Sequence, residues 1–287
     1  MDVRHESDDD QAARWKGPGG NAWVELQAVL DEMFKPFEDL LVDAVTAGPA
    51  HRVLDVGCGT GGVTLAVARR LGATGRSVGV DISEPVIAAA RARAEREGTP
   101  AAFVLGDAQD HAFEPAAFDA VVSRFGVMFF NDSVRAFANL RRAATDDALL
   151  RFIAWRGPAE NPFMTTAERA AAPLLPDLPV RRPDEPGQFA LADPDRIRRI
   201  LAESDWKEID IRPIDVSCAL PESELVRYLT RLGPVGLALG RVDEQTRAQV
   251  IDTVRAAFDP FVQGTEVRFT AACWLVEARA SATSAAR

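Results

Sequence analysis

Three cysteines, three histidines, three lysines and a single tyrosine are all that 287 residues supply of those types. Each scarcity removes a class of chemistry. Cys58, Cys218 and Cys273 are too few and too scattered for a disulfide framework, and no CxxC or Cys/His cluster is present to hold zinc, so no metal is expected and a reducing, cytoplasmic setting fits best. Tyr228 is followed four residues later by Leu232, so a tyrosine-x-x-x-lysine pair of the kind that serves nicotinamide reductions is absent. No stretch approaches 18 apolar residues, and the acidic opening MDVRHESDDD has no apolar run behind it. Neither membrane insertion nor export is expected. Positive charge is also short: the net charge is −10 and the isoelectric point about 4.9, so the overall field repels polyanions and nucleic acid is a poor partner.

What is present is an ample supply of apolar residues, 47% of the chain, enough to bury one large core. Alternating strand and helix patterns begin after WKGPGGNAW. Residues 22 to 46 carry apolar groups at helical spacing, interrupted at Pro36, and predict two short helices. A strand follows at 52–56, then a glycine turn, a helix at 61–71, a strand at 77–82, a helix at 84–97 entered through Ser83-Glu84-Pro85, and a strand at 101–105. FDAVVS (118–123), a helix over 132–144 and ALLRFIAW (148–155) complete this part. Strands alternating with helices predict an α/β, Rossmann-like sheet, mostly parallel and covered on both faces.

Past Trp155 prolines crowd around one helix at 162–175, which predicts an inserted helical cap. Regular structure resumes with a helix at 194–204, a strand at 207–216, helices near 221–232 and 243–262, and a final strand EVRFTAACWLVEAR. Residues 15–280 are therefore expected to form one domain, with helices at 15–46 and cap or substrate elements at 156–205 and 218–264. Residues 1–14 and 281–287 are expected to be disordered.

VLDVGCGTGG, residues 53 to 62, runs a strand into a cluster of glycines, a pattern that lets a ligand approach the backbone. Two templates fit. Gly57, Gly59 and Gly62 satisfy the G-x-G-x-x-G dinucleotide fingerprint, with Asp81 ending the next strand as a ribose-binding carboxylate. Gly57, Gly59 and Gly61, preceded by Asp55, satisfy G-x-G-x-G. On the second template VLDVGCGTG, GVDIS (79–83) and GDAQ (106–109), in order at the ends of three successive strands, resemble motifs I, II and III of the class I S-adenosylmethionine-dependent methyltransferases. FDAVVSRFGVMFFND (118–132) and FANLRRA resemble the subgroup related to ubiquinone and menaquinone biosynthesis. TDDALL (145–150) departs from the proline-glycine-glycine turn usual there. The resemblance implies seven strands with the last antiparallel.

It also implies a site. Backbone at Gly57, Cys58, Gly59, Thr60 and Gly61 would lie along the methionine part of S-adenosylmethionine, with Asp55 orienting its ammonium group. Asp81 would take both ribose hydroxyls, since a carboxylate accepts two hydrogen bonds without donating. Ile82 would flank the adenine, Asp107 would accept from its amine, and Ala108 and Gln109 would lie beside it. Ser123, Arg124 and Phe125 would border the methionine tail and the acceptor, and Trp15 and Trp23 would fold over the cofactor or anchor the N-terminal helices. Cys58 reads as a packing residue.

Methyl transfer from a sulfonium needs alignment and exclusion of water more than it needs a base. His111 and Glu168 are the candidate bases. Met128, Phe129, Phe130, Phe163 and Met164 are the candidates for an apolar acceptor pocket. The expected reaction is O- or C-methylation of a small hydrophobic molecule, leaving S-adenosylhomocysteine. An NAD(P)-dependent oxidoreductase and a noncatalytic S-adenosylmethionine-binding protein stay as alternatives, and a homodimer is left open.

Overall fold

The computed structural model describes residue 13, residues 15–179, residue 181 and residues 185–281. The expected disordered ends therefore lie, but for residues 13 and 281, outside the described residues.

Three helices lead in, α1 (Pro18–Glu25), α2 (Gln27–Met33) and α3 (Lys35–Thr46). Two were expected. The breaks fall at Leu26 and Phe34, and Pro36 sits inside the first turn of α3, where its missing N–H costs nothing. Then come β1 (Arg52–Val56), α4 (Gly62–Leu71), β2 (Arg76–Asp81), α5 (Glu84–Glu97), β3 (Ala101–Leu105), β4 (Phe118–Arg124), α6 (Ser133–Ala143) and β5 (Ala144–Trp155). Glycines at positive φ stop α4 and α5, Gly72 at 66° and Gly98 at 60°. Asp132 caps α6 by accepting from the Arg135 amide at 3.0 Å.

The TDDALL segment is drawn into β5, and the β4–β5 pairing shifts register between Phe118 and Ala120. An irregularity thus stands where the family's glycine turn would be.

The second half carries α7 (Pro162–Ala171), α8 (Pro194–Glu203), β6 (Trp206–Pro221), α9 (Leu225–Arg231), α10 (Gly233–Ala238), α11 (Glu244–Ala257), a two-residue β7 (Val262–Gln263) and β8 (Glu266–Ala280). The α10 helix falls between the two helices expected near 221–232 and 243–262. Among the described residues the sheet has eight strands in the order β3-β2-β1-β4-β5-β8-β6, with β7 pairing β8. The first five are parallel neighbours, whereas β8 runs antiparallel between β5 and β6. Apart from the short β7, this is the expected sheet. Strands β1 and β4 are buried almost continuously, and β5 over its last four residues, Phe152 to Trp155, as strands covered on both faces must be.

Strand order reverses at β1, so the loops after β1 and β4 diverge there and open a crevice at their carboxyl ends. No helix among the described residues is long and apolar enough to cross a membrane.

Candidate functional site

A cavity of about 540 Å³ opens at that crevice. Its floor is built by the β1–α4 turn. Gly57 (φ 65°) and Gly59 (φ 54°) adopt the left-handed conformation that spares a glycine the cost a side chain would incur. The Gly57 and Cys58 amides donate to the Val80 carbonyl at 2.9 and 3.1 Å, which ties the turn to β2. A Cβ on Gly57 would stand 2.6 Å from Gly126 Cα, so the β1 and β4 loops touch backbone to backbone.

Asp81, at the end of β2, accepts from the Gly59 amide at 2.9 Å and from the Ser83 amide at 3.0 Å, one on each oxygen. Burial pushes its carboxyl up, and those backbone donors pull it back. Each oxygen keeps lone-pair capacity toward the cavity it lines.

Asp55 lies one turn of chain deeper, 1% exposed, with the Thr64 hydroxyl donating to it at 2.6 Å. Burial pushes its carboxyl up to about 6, against the Thr64 hydrogen bond and the Arg124 charge. A buried carboxylate on a cavity wall is suited to a cation that completes its neutralisation. Arg124 is held by the Phe34 carbonyl at 3.4 Å and stands 4.0 Å from Asp31.

The wall also takes Gly57, Cys58, Gly59, Ile82, Asp107 and Ala108 from the expected set. Cys58 is buried, its thiol pushed well up by burial and by Asp81 and Asp55, and it packs against Gly79. It is a packing residue and stays protonated. Phe125 reaches the wall in a left-handed conformation, φ 66°, with its ring stacked 4.7 Å from that of Trp155. Such a backbone conformation for an aromatic residue is held by its surroundings. Trp23 overlies Gly59, Trp15 packs edge-on against Trp23 and Phe129, and both indoles line the cavity. The Trp15 indole N–H is buried without a partner. That orphaned donor, with the Asp81 and Asp55 carboxylates as acceptors, fits a ligand carrying hydroxyls and a cation, as S-adenosylmethionine does.

Five expected residues are not on this wall. Gln109 turns away, its amide oxygen accepting from the Asp132 amide at 2.8 Å. Ser123 is spent on structure: its hydroxyl donates to the Val56 carbonyl at 2.8 Å and accepts from the Gly126 amide at 3.1 Å, fastening β4 to β1. Thr60 is buried under the turn, and Gly61 begins α4 against Phe103. His111 packs its ring 4.6 Å from that of Phe113 and beside Gly106, away from the cavity, which removes it as a base. Gln109 and Ser123 thus spend their side chains on the loops that carry their neighbours.

The other half of the cavity is the predicted apolar pocket. Met128, Phe129, Phe130, Phe163 and Met164 all line it. Glu168 lines it too, but both its oxygens accept from Arg181, at 2.7 Å from Nε and in a shorter contact from Nη2. Taking a proton would break that bidentate pair, which argues against Glu168 as a base. Sequence reasoning missed Arg181, Gln188, Phe189 and Tyr228, which come from the cap and from α9. Only Tyr228 had been singled out, as a residue without its lysine, and no local pattern marks the others.

Residues 53–147 match a family described as a methyltransferase domain. Nocamycin O-methyltransferase of Saccharothrix syringae is 36% identical over 144 residues, half of this chain and half of that protein. Demethylmenaquinone methyltransferase of Renibacterium salmoninarum is 26% identical over 185 residues, 61% of this chain and 75% of that one. The chain spans about half the length of several of the curated relatives it matches. Among solved structures, YcgJ of Bacillus subtilis aligns over 87% of this chain and all of its own, at 16% identity and a TM-score of 0.58. The [4+2]-cyclase SpnF aligns over 92% and 95% at 16% identity and 0.56, so the fold alone does not name a reaction. The matched segment, residues 53–147, carries the glycine turn, Asp81 and Asp107 at the ends of β1 to β3, and over that segment the chain is similar to methyltransferase domains.

Proposed function

We propose that this protein transfers a methyl group from S-adenosylmethionine to a small, largely hydrophobic molecule, at oxygen or carbon, by in-line displacement. One observation carries the reading: the glycine turn with Asp55 and Asp81 and the pocket of Met128, Phe129, Phe130, Phe163 and Met164 share a single cavity. Donor and acceptor halves that communicate are what an in-line transfer requires. Relatives named for nocamycin, aklanonic acid and demethylmenaquinone support a small-molecule acceptor.

When bound, the cofactor supplies a methyl group activated by a sulfonium leaving group. The chain's own part is binding and alignment. Asp81 accepts from the ribose hydroxyls while its backbone contacts to Gly59 and Ser83 keep it aimed. Asp55 faces the ammonium group, Ile82 and Ala108 flank the adenine, and Asp107 accepts from its amine. Asp107 has one oxygen engaged by the Gln109 amide at 2.9 Å, which orients the other. The aromatic wall excludes water from the transfer.

The test is transfer of label from methyl-tritiated S-adenosylmethionine into organic extracts of the source cells, with wild type and Asp81→Ala in parallel. Label should enter an extractable compound with wild type only. Asp81→Ala should bind the cofactor about 10- to 100-fold more weakly, as loss of charge-assisted hydrogen bonds implies. Unchanged affinity would remove Asp81 from the site; absence of cofactor binding by wild type would overturn the reading itself.

A further inference from the structure

The acceptor half of the cavity is apolar except at one place. There α7, the cap and α9 bring Glu168, Arg181, Gln188 and Tyr228 together. Arg181 uses Nε and Nη2 on Glu168 and Nη1 on Gln188 at 3.1 Å, and its guanidinium lies 5.0 Å from the centre of the Phe189 ring. Among the described residues three of its five N–H bonds are thereby engaged, which leaves two. The Tyr228 hydroxyl is the other donor. Among the described residues it donates to a thioether, Met164 Sδ at 4.0 Å, a weak acceptor and a poor use of a hydroxyl in an apolar wall.

Tyr228 stays protonated. Burial and the nearby Cys218 thiol push its phenol up, and Arg181 stands close enough to oppose them. The charged groups at this place are Arg181, already paired with Glu168, and Glu185, which is exposed. The cluster is thus rich in donors, while the half-buried Glu168 carboxylate is occupied. It is built to receive an acceptor atom, not to remove a proton.

We infer that the methyl acceptor is a hydrophobic carboxylic acid, bound as its carboxylate with one oxygen held by the Tyr228 hydroxyl and a remaining Arg181 N–H, the other oxygen being methylated. This deepens the proposed function and rests on it. A carboxylate is ionised at neutral pH without help, which suits a chamber that offers no disengaged base among its described residues. The acceptor oxygen's lone pair forms the new O–CH3 bond as the S–CH3 bond breaks and that bond's electrons return to sulfur. The carboxylate's negative charge and the sulfonium's positive charge cancel, giving a neutral ester and a neutral thioether. No proton moves.

Two measurements on the full chain test this. In the first, tritiated product formed from cell extracts is treated with mild alkali. A methyl ester releases its label as volatile methanol, the expected result; label that stays in the organic phase marks an ether or a carbon-bound methyl and overturns the inference while leaving methyl transfer intact. In the second, calorimetry with and without S-adenosylhomocysteine compares 2-naphthoate with 2-naphthalenemethanol. The acid should bind at least about tenfold more tightly than the alcohol, and Tyr228→Phe should remove most of that preference without changing affinity for S-adenosylhomocysteine. Equal binding of the two probes, tighter binding of the alcohol, or no binding of the acid would each overturn the inference. With the extract-derived acceptor, Tyr228→Phe should raise KM about tenfold and leave kcat within about twofold, a split that a general loss of structure would not produce. Failure of S-adenosylmethionine itself to bind would instead strike the methyltransferase reading.

Discussion

Replacing Asp55 by asparagine should stabilise the ligand-free protein, by an amount that depends on pH. Asp55 is 1% exposed and its carboxyl is pushed from 3.8 up to about 6, chiefly by burial. A folded-state value above the unfolded one means that the fold prefers the protonated acid. The stability this contributes is complete below about pH 4 and is lost as pH rises through about 6. The rise corresponds to about 3 kcal/mol, the cost of carrying the buried charge at pH 8. Asparagine carries no charge and accepts the Thr64 hydroxyl much as the protonated acid does. The variant should therefore gain about 3 kcal/mol over wild type at pH 8 and about nothing at pH 4. In melting temperature this is about 6 to 12 °C at pH 8. Thermal and urea unfolding of both proteins at pH 4, 6 and 8 is the assay. A variant that is less stable than wild type at pH 8, or shifted equally at all three, would refute the account of Asp55 as a destabilising buried charge. The same variant should bind S-adenosylmethionine more weakly, because the charge that costs stability is the one proposed to meet the ammonium group.

Other outcomes follow from the same geometry. Cofactor binding to wild type near pH 6 should release protons, since a cation beside Asp55 favours its ionised form; calorimetry in buffers of different ionisation enthalpy measures the number, and zero release would separate Asp55 from the cofactor. Gly57→Ala should cost about 2 kcal/mol or more and weaken cofactor binding, because a Cβ at that φ meets the Gly126 backbone at 2.6 Å; an unfolding midpoint equal to wild type would contradict it. Ser123→Ala should cost about 1 to 3 kcal/mol by leaving the buried Val56 carbonyl short of a donor, with cofactor affinity changing less than for Asp81→Ala, as denaturation and calorimetry together would show.

His111 and Glu168 show how far residue type carries an assignment. Histidine four residues past Asp107 looks usable as a base until the Asp107–His111 turn folds it against Phe113 and Gly106. Glutamate on a cap helix looks free until Arg181, thirteen residues on, takes both its oxygens. Ser123 and Gln109 stand beside the expected ligand in sequence, yet each hydrogen-bonds backbone of the loops that frame it. A motif marks a loop; which of its side chains face the ligand depends on what the loop itself needs.

The alternation of strand and helix, the glycine turn and the acidic residues ending β1, β2 and β3 were legible in the sequence because they are local. Apolar period, φ > 0 at glycine and helix-stop signals act over a few residues, and they determined the parallel sheet and the donor half of the site. The acceptor half is another matter. Phe34, Met128, Phe163, Arg181 and Tyr228 come from segments spread over more than 190 residues and share no spacing. Only packing the N-terminal helices, the cap and α9 over one end of the sheet made them neighbours. Tertiary structure likewise decided that Asp55 is buried and Glu168 paired, because desolvation and ion pairing are set by surroundings and not by the residue itself.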